Sequence, residues 1–168
     1  MPGASVPGAI VGHLEPSAMT IDTGALVHAV GDAIVVSDVS GKIVLWNPAA
    51  ERMFGYTEAE AVGQTLDIIT PEKFRKRHWD GYHQTMATGQ TKYGTTLLRV
   101  PAVNKAGQSL SIAFGVALLF GADGRPTAIA SIIRDETQRF EQDRAARKRI
   151  VELETQLGLL ASKPPAKS

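Results

Sequence analysis

Residues 32–66 read DAIVVSDVSGKIVLWNPAAERMFGYTEAEAVGQTL, and they carry the strongest local structural signals in the chain. Residues 33–37 and 43–46 are apolar, β-branched runs separated by DVSGK, whose turn chemistry predicts a hairpin. Asn47-Pro48 follows as an N-cap and first helical residue. Thr57 and Glu60 then have the spacing of a capping box, which predicts a second short helix. Two strands are therefore followed at once by two short helices.

The rest of the chain extends this pattern to an α+β fold. A short helix is predicted over residues 24–31, and a longer one from Pro71 to about Ala87, ended by Gly89. The turns NKAGQ and GADGRP separate three predicted strands, over about residues 95–103, 109–120 and 127–135. This order predicts a five-stranded antiparallel sheet with the helices on one face.

One long helix is predicted from Glu136 to about Ala161. Its apolar residues recur at spacings of four and three: Ala146, Ile150, Leu153, Leu157 and Leu160. Such a repeat is typical of a coiled-coil seam, so we expect a homodimer formed through this helix.

Composition excludes several classes of function. The 168 residues include no cysteine, which excludes disulfides, thiolate catalysis and chromophores that need a cysteine adduct. The net charge of +1 does not favour nucleic acid as a partner. No signal peptide is apparent and no apolar stretch approaches the roughly 18 residues of a membrane span, so we expect a cytoplasmic protein. No phosphate-binding loop, acid–base pair or nucleophile elbow appears, so we do not expect an enzyme.

Residues 32–66, together with SIAFGVALLFGADGRPTAIASIIRDETQ and its closing Asp135-x-Thr137, resemble the PAS family. The resemblance covers about residues 24–138 and implies a sensory domain whose sheet forms a cup for a small molecule. It divides the chain into a flexible N-terminal arm (1–23), a PAS sensor domain (24–138), a signalling and dimerisation helix (139–161) and a disordered tail (162–168).

Residues 71–78, PEKFRKRH, are similar to the haem-binding PAS domains of bacterial oxygen-sensing kinases, whose proximal histidine falls on His78. On a helix, His78 lies within an apolar stripe with Phe74, Trp79, Tyr82 and Met86, whereas Asp80 lies on the polar arc and His83 at the edge. The resemblance implies b-type haem, with His78 as the iron ligand. The other expected lining residues are Phe74, Tyr82, Leu97, Leu98, Phe114 and Val116.

Leu98 stands near the strand position where those kinase sensors hold a distal arginine. Leucine offers no hydrogen bond to a gas, so we expect weak stabilisation of oxygen, with CO or NO favoured or a sixth protein ligand. Arg99 is adjacent, but side chains alternate across a strand.

Other ligands stay open at this point. Flavin is one, although no tryptophan lies on the strand that follows the long helix. A small carboxylate held by Arg99 or Lys105 is another, and a cup with no ligand and a structural His78 is a third. The expected function is to sense a diatomic gas or redox state and signal through the C-terminal helix to an unidentified downstream protein or effector domain. The alternative is a ligand-free PAS module for dimerisation and protein interaction.

Overall fold

The computed structural model describes residues 21–91 and 96–161, with side chains up to Leu157. The elements in chain order are α1 (Thr23–Ala29), β1 (Ala33–Asp38), β2 (Ile43–Trp46), α2 (Pro48–Phe54), α3 (Glu58–Ala61), a 3-10 turn (Leu66–Ile68), α4 (Glu72–Thr88), β3 (Leu98–Val103), β4 (Ser109–Phe120), β5 (Pro126–Asp135) and α5 (Thr137–Ala161). The predicted arm and tail lie outside these residues, apart from residues 21–23.

The five strands form one antiparallel sheet in the order β2-β1-β5-β4-β3, which confirms the predicted α+β fold. Val35 and Val116 both pair with Ser131, and Leu98 pairs with Phe114. Because side chains alternate along a strand, these residues share one face of the sheet. We call it the inner face, and α4 lies over it.

Asn47 joins the hairpin to the helices that follow. Its side chain accepts hydrogen bonds from the backbone N–H of Ala50 and Ile34, at 3.0 and 2.8 Å, and donates to the carbonyls of Val27 and Asp32, each at 3.1 Å. The predicted N-cap therefore also anchors α1 and the start of β1. Its burial costs little because donors and acceptors are both satisfied.

The core is centred on Trp46 and Phe54, which are almost fully buried with ring centroids 5.4 Å apart. Trp46 donates its indole N–H to the carbonyl of Tyr56 at 3.0 Å, so its one polar atom is paired. The predicted capping box of Thr57 and Glu60 is present at the start of α3. These contacts fix α2 and α3 against one end of the sheet.

Helix α4 is fastened to the β1–β2 turn and to the 3-10 turn. Trp79 lies against Gly41, where an added Cβ would come within 2.2 Å of the indole ring, and its N–H donates to Asp67 Oδ1 at 2.9 Å. Tyr82 donates its hydroxyl to the carbonyl of Asp38 at 2.5 Å. These contacts hold α4 across the inner face.

Helix α5 leaves the sheet directly after β5. Asp135 accepts hydrogen bonds from the backbone and hydroxyl of Thr137, and the Thr137 hydroxyl accepts from the backbone N–H of Ser111 in β4 at 2.9 Å. Beyond this junction Ile150, Leu153 and Leu157 are exposed by 55%, 42% and 66%. The helix is confirmed, but the coiled-coil seam stays a prediction, and the side chain of Leu160 lies outside the described part of α5.

Candidate functional site

A cavity of about 830 Å³ lies between α4 and the inner face of the sheet. Six of the seven predicted site residues line it: Phe74, His78, Tyr82, Leu98, Phe114 and Val116. The expectation for Leu97 is wrong, because it does not line the cavity and is 48% exposed. Leu97 lies just before β3 begins at Leu98, so it is not held on the inner face of the sheet.

His78 lines this cavity, and one of its two ring nitrogens is left without a hydrogen-bond partner in the described residues. Its Nδ1 atom is buried and has no hydrogen-bond partner among the described residues. Burial lowers the pKa of His78, which keeps the ring neutral at physiological pH. Trp79 and Tyr82 flank the ring, with centroids 5.0 and 6.0 Å away. A neutral imidazole with a free lone pair is the form that binds a metal.

The face of α4 that lines the cavity is rotated from the predicted apolar stripe. Trp79 and Met86 belong to that stripe but do not line the cavity. The lining also includes the arc to the other side of Phe74, formed by Arg77, Asp80, Gly81, Gln84 and Thr88, and it includes Thr85 between Phe74 and His78. Sequence reasoning missed these residues because a cavity wall need not be apolar. The available signal for this arc was Gly81, because a glycine in the middle of a helix lowers helix stability and often has a packing or functional reason.

The sheet supplies the apolar wall. Leu98, Phe114 and Val116 lie on it, with Ile112, Ile129 and Ile133 beside them. None of these six side chains carries a polar group, so they offer a ligand contact and exclusion of water but no hydrogen bond. Ser131 is the polar side chain on β5 within the lining.

The two cations predicted as carboxylate anchors are both engaged elsewhere. Arg99 donates from Nε to Glu136 Oε2 at 2.9 Å, and Lys105 pairs with Glu60 Oε1 at 2.5 Å. Lys105 is also absent from the cavity lining. Neither is therefore available to hold a ligand without breaking an ion pair.

Within residues 21–91 and 96–161, no three His, Asp or Glu side chains cluster in a way that could hold a metal ion. A metal at His78 would therefore need most of its ligands from a prosthetic group. Over the same residues, no helix is long and apolar enough to cross a membrane.

A family model for the PAS fold matches residues 22–136. The chain belongs to the PAS fold family. This match covers more than half of the sequence and confirms the resemblance carried by residues 32–66 and by the strands that follow.

Two curated relatives are named as sensors. The sensor protein FixL of Bradyrhizobium diazoefficiens is 47% identical over 58 residues, which are 34% of this chain and 11% of FixL. The oxygen sensor protein DosP of Escherichia coli is 22% identical over 119 residues, which are 71% of this chain and 14% of DosP. The chain thus matches only a small part of each relative's length.

Solved structures support the PAS fold. A PAS domain from Colwellia psychrerythraea superposes with a TM-score of 0.61 at 22% identity, covering 69% of this chain and 95% of that one. An RNA-binding light-oxygen-voltage receptor also gives 0.61, at 23% identity, covering 90% of this chain and 42% of the receptor. At these identities the likeness concerns the fold alone.

Proposed function

We propose that this PAS domain binds b-type haem through His78 and senses a diatomic gas or redox state. The observation that carries the proposal is the buried, unpaired Nδ1 of His78, on a neutral imidazole that lines an apolar-walled cavity. The cavity volume of about 830 Å³ is within the range of small-molecule sites. The similarity to a protein named as an oxygen sensor adds independent support.

The residues present fit such a group. When bound, haem would supply an iron able to bind a gas or change oxidation state, and His78 would be its protein ligand. Leu98, Phe114 and Val116 would exclude water from the opposite side. Because these three side chains donate no hydrogen bond, we keep the expectation that oxygen is weakly stabilised and that CO or NO is favoured, unless a sixth protein ligand binds.

The route of the signal follows from the sheet. A shift of the cavity wall at Phe114 or Val116 moves β4, which is bonded to α5 through Ser111 and Thr137. Glu136, between β5 and α5, also pairs with Arg99 of β3. We propose that this junction biases the packing of α5 in a homodimer and so acts on a downstream protein or effector domain.

The cytoplasm is the compartment that we propose.

The visible spectrum of the protein purified with haem supplied tests this proposal. We expect stoichiometric haem and a Soret band in the wild type, and loss or a marked shift of that band in His78→Ala. His83→Ala is the matched control, since His83 is exposed on the same helix and absent from the cavity lining. No haem uptake by the wild type, or equal effects of the two substitutions, would contradict the proposal.

The second candidate function is a ligand-free module for dimerisation and protein interaction. The exposed row Ile150, Leu153 and Leu157 favours it, because such a row is normally covered by a partner. In that case the wild type takes up no haem but still dimerises, which the same spectrum and a mass measurement distinguish. A flavin or an organic acid in the cavity is the further alternative, visible as a different co-purified chromophore or as a small acid released on unfolding.

A further inference from the structure

One edge of the cavity is polar, whereas the sheet opposite is apolar. Arg77, Gly81, Gln84 and Thr88 recur at spacings of four, three and four along α4, so they form one ridge of the helix, and all four line the cavity. We call these four residues the polar ridge. A ligand that fills the cavity therefore meets a mainly apolar sheet, the rings of Phe74, His78 and Tyr82 on the helix, and polar side chains along one edge of that helix.

The four residues of the polar ridge are exposed to solvent, and the ridge carries a positive charge that no described carboxylate pairs with. Arg77 makes no ion pair or hydrogen bond with any residue that the structure describes. The neighbouring charges are already paired: Arg75 with Asp67 at 3.7 Å, and Asp80 with Lys76 at 2.9 Å. The Asp80 carboxylate, which also lines the cavity, is thus offset by its own lysine. Two arginines line the cavity within the described residues. Arg99 pairs with Glu136, whereas Arg77 has no such partner there.

Gly81 leaves space beside Arg77. A Cβ added at Gly81 would meet nothing within 4 Å, so the gap is open rather than filled by a neighbour. Glycine is less favourable than alanine in a helix interior, and no positive φ requires it at position 81. A glycine on a cavity wall allows a ligand to approach the helix backbone closely. The gap therefore lies between the Arg77 and Gln84 positions of the ridge.

From these three observations we propose that the polar ridge is an anion-binding subsite, with Arg77 as its charged anchor. The ligand class that it fits has an apolar ring system for the sheet and an anionic group, such as a carboxylate, for Arg77. Gln84 adds a hydrogen-bond donor for the same edge, whereas the Thr88 hydroxyl already donates to the carbonyl of Gln84 at 2.8 Å. The subsite rests on the proposed function only in requiring that the cavity holds a ligand, not that the ligand is haem.

Two dyes of similar shape separate charge from apolar contact: anilinonaphthalene sulfonate is anionic, and N-phenylnaphthylamine is neutral. We expect Arg77→Gln to weaken binding of the anionic dye about tenfold, in a fluorescence titration at low salt, and to change binding of the neutral dye by less than about twofold. Arg52→Gln, which removes the same charge from an exposed site on α2, should leave both affinities unchanged.

Gly81→Leu tests the gap without removing charge. Leucine favours a helix, so the variant should keep its thermal unfolding midpoint and weaken both dyes, because its side chain occupies the space beside Arg77. Equal losses of both dyes in Arg77→Gln, an Arg52→Gln effect of the same size, or no binding of the anionic dye by the wild type would each overturn the proposal. Absence of a Soret band with intact dye selectivity would instead count against haem alone.

Discussion

Tyr82 shows at the scale of one residue how the cavity helix is attached to the sheet. Its side chain is buried, and its hydroxyl donates to the carbonyl of Asp38 at 2.5 Å while lying 2.9 Å from the hydroxyl of Ser37, which can donate in return. Burial raises the pKa of Tyr82, so the donor proton is retained over the whole physiological range. One side chain thus both lines the cavity and joins α4 to β1.

Replacing Tyr82 by phenylalanine should destabilise the protein by about 1–2 kcal/mol, because the buried Ser37 hydroxyl loses its partner and the Asp38 carbonyl keeps only its bond from the Gly41 N–H. Urea unfolding followed by circular dichroism measures the change. Tyr56→Phe is the matched control, since its hydroxyl makes only a long contact of 3.5 Å with the carbonyl of Ile68 and should cost much less. If the two substitutions cost the same, Tyr82 does not provide a specific attachment.

The sequence predicts the role of a single residue well where that role depends on neighbours a few positions along the chain. The capping hydrogen bonds of Asn47, Thr57 and Glu60 join residues three apart along the chain, so their spacing was sufficient to predict the caps. The lining role of Leu97 failed because it depended on where β3 begins, which propensity does not determine to within one residue. The pairing of Arg99 with Glu136 joins residues 37 positions apart and left no trace in the sequence.

At the scale of an element, α4 shows why a hydrophobic stripe does not identify a cavity wall. The apolar stripe predicts the side that faces the cup, but Trp79 of that stripe instead packs against Gly41 and donates a hydrogen bond to Asp67. An apolar side chain gains most from contact with protein, so the stripe marks the surface where the helix docks. The cavity lies partly beside that surface, where Arg77, Gln84 and Thr88 are tolerated. His78 could be predicted because it belongs both to the apolar stripe and to the part of α4 that lines the cavity.

The docking of α4 on the β1–β2 turn makes Gly41 sensitive to substitution. Gly41 has φ of 78°, and an added Cβ would lie 2.2 Å from the Trp79 ring, so Gly41→Ala carries both backbone strain and a steric clash. We expect a loss of about 2–4 kcal/mol in the free energy of unfolding.

Gly107→Ala separates the two causes. Its φ is 77°, but an added Cβ would meet nothing within 4 Å, so only the backbone strain of about 1–2 kcal/mol should remain. Thermal or urea unfolding of both variants gives the comparison. Equal losses at the two glycines would show that the Trp79 contact yields easily and does not hold α4 in place.

At the scale of the whole molecule, α5 is the element that the domain does not cover. Its 25 residues extend from the Asp135–Thr137 junction, and residues 138–157 are all exposed. Isolated helices gain little stability from propensity alone, so a helix of this kind is usually stabilised by packing its apolar face. Ile150, Leu153 and Leu157 provide such a face, and it is continuous with the junction through which the sheet reaches α5.

Leu153→Asp tests the proposed homodimer, because it places a carboxylate in the middle of the seam of each helix. Two such groups facing each other without partners strongly disfavour association, so in sedimentation equilibrium at micromolar concentration we expect monomers for this variant and a dimer for the wild type. Thr155→Asp introduces the same charge on the opposite side of α5 and should remain dimeric, since two residues along a helix correspond to a rotation of about 200°.

The helix leaves the domain as one element, so the Leu153 variant should keep the thermal stability of the PAS domain and any spectrum that haem confers. An unchanged mass for Leu153→Asp would exclude the seam as the interface, and loss of dimer in both variants would attribute the effect to charge on the helix rather than to the seam.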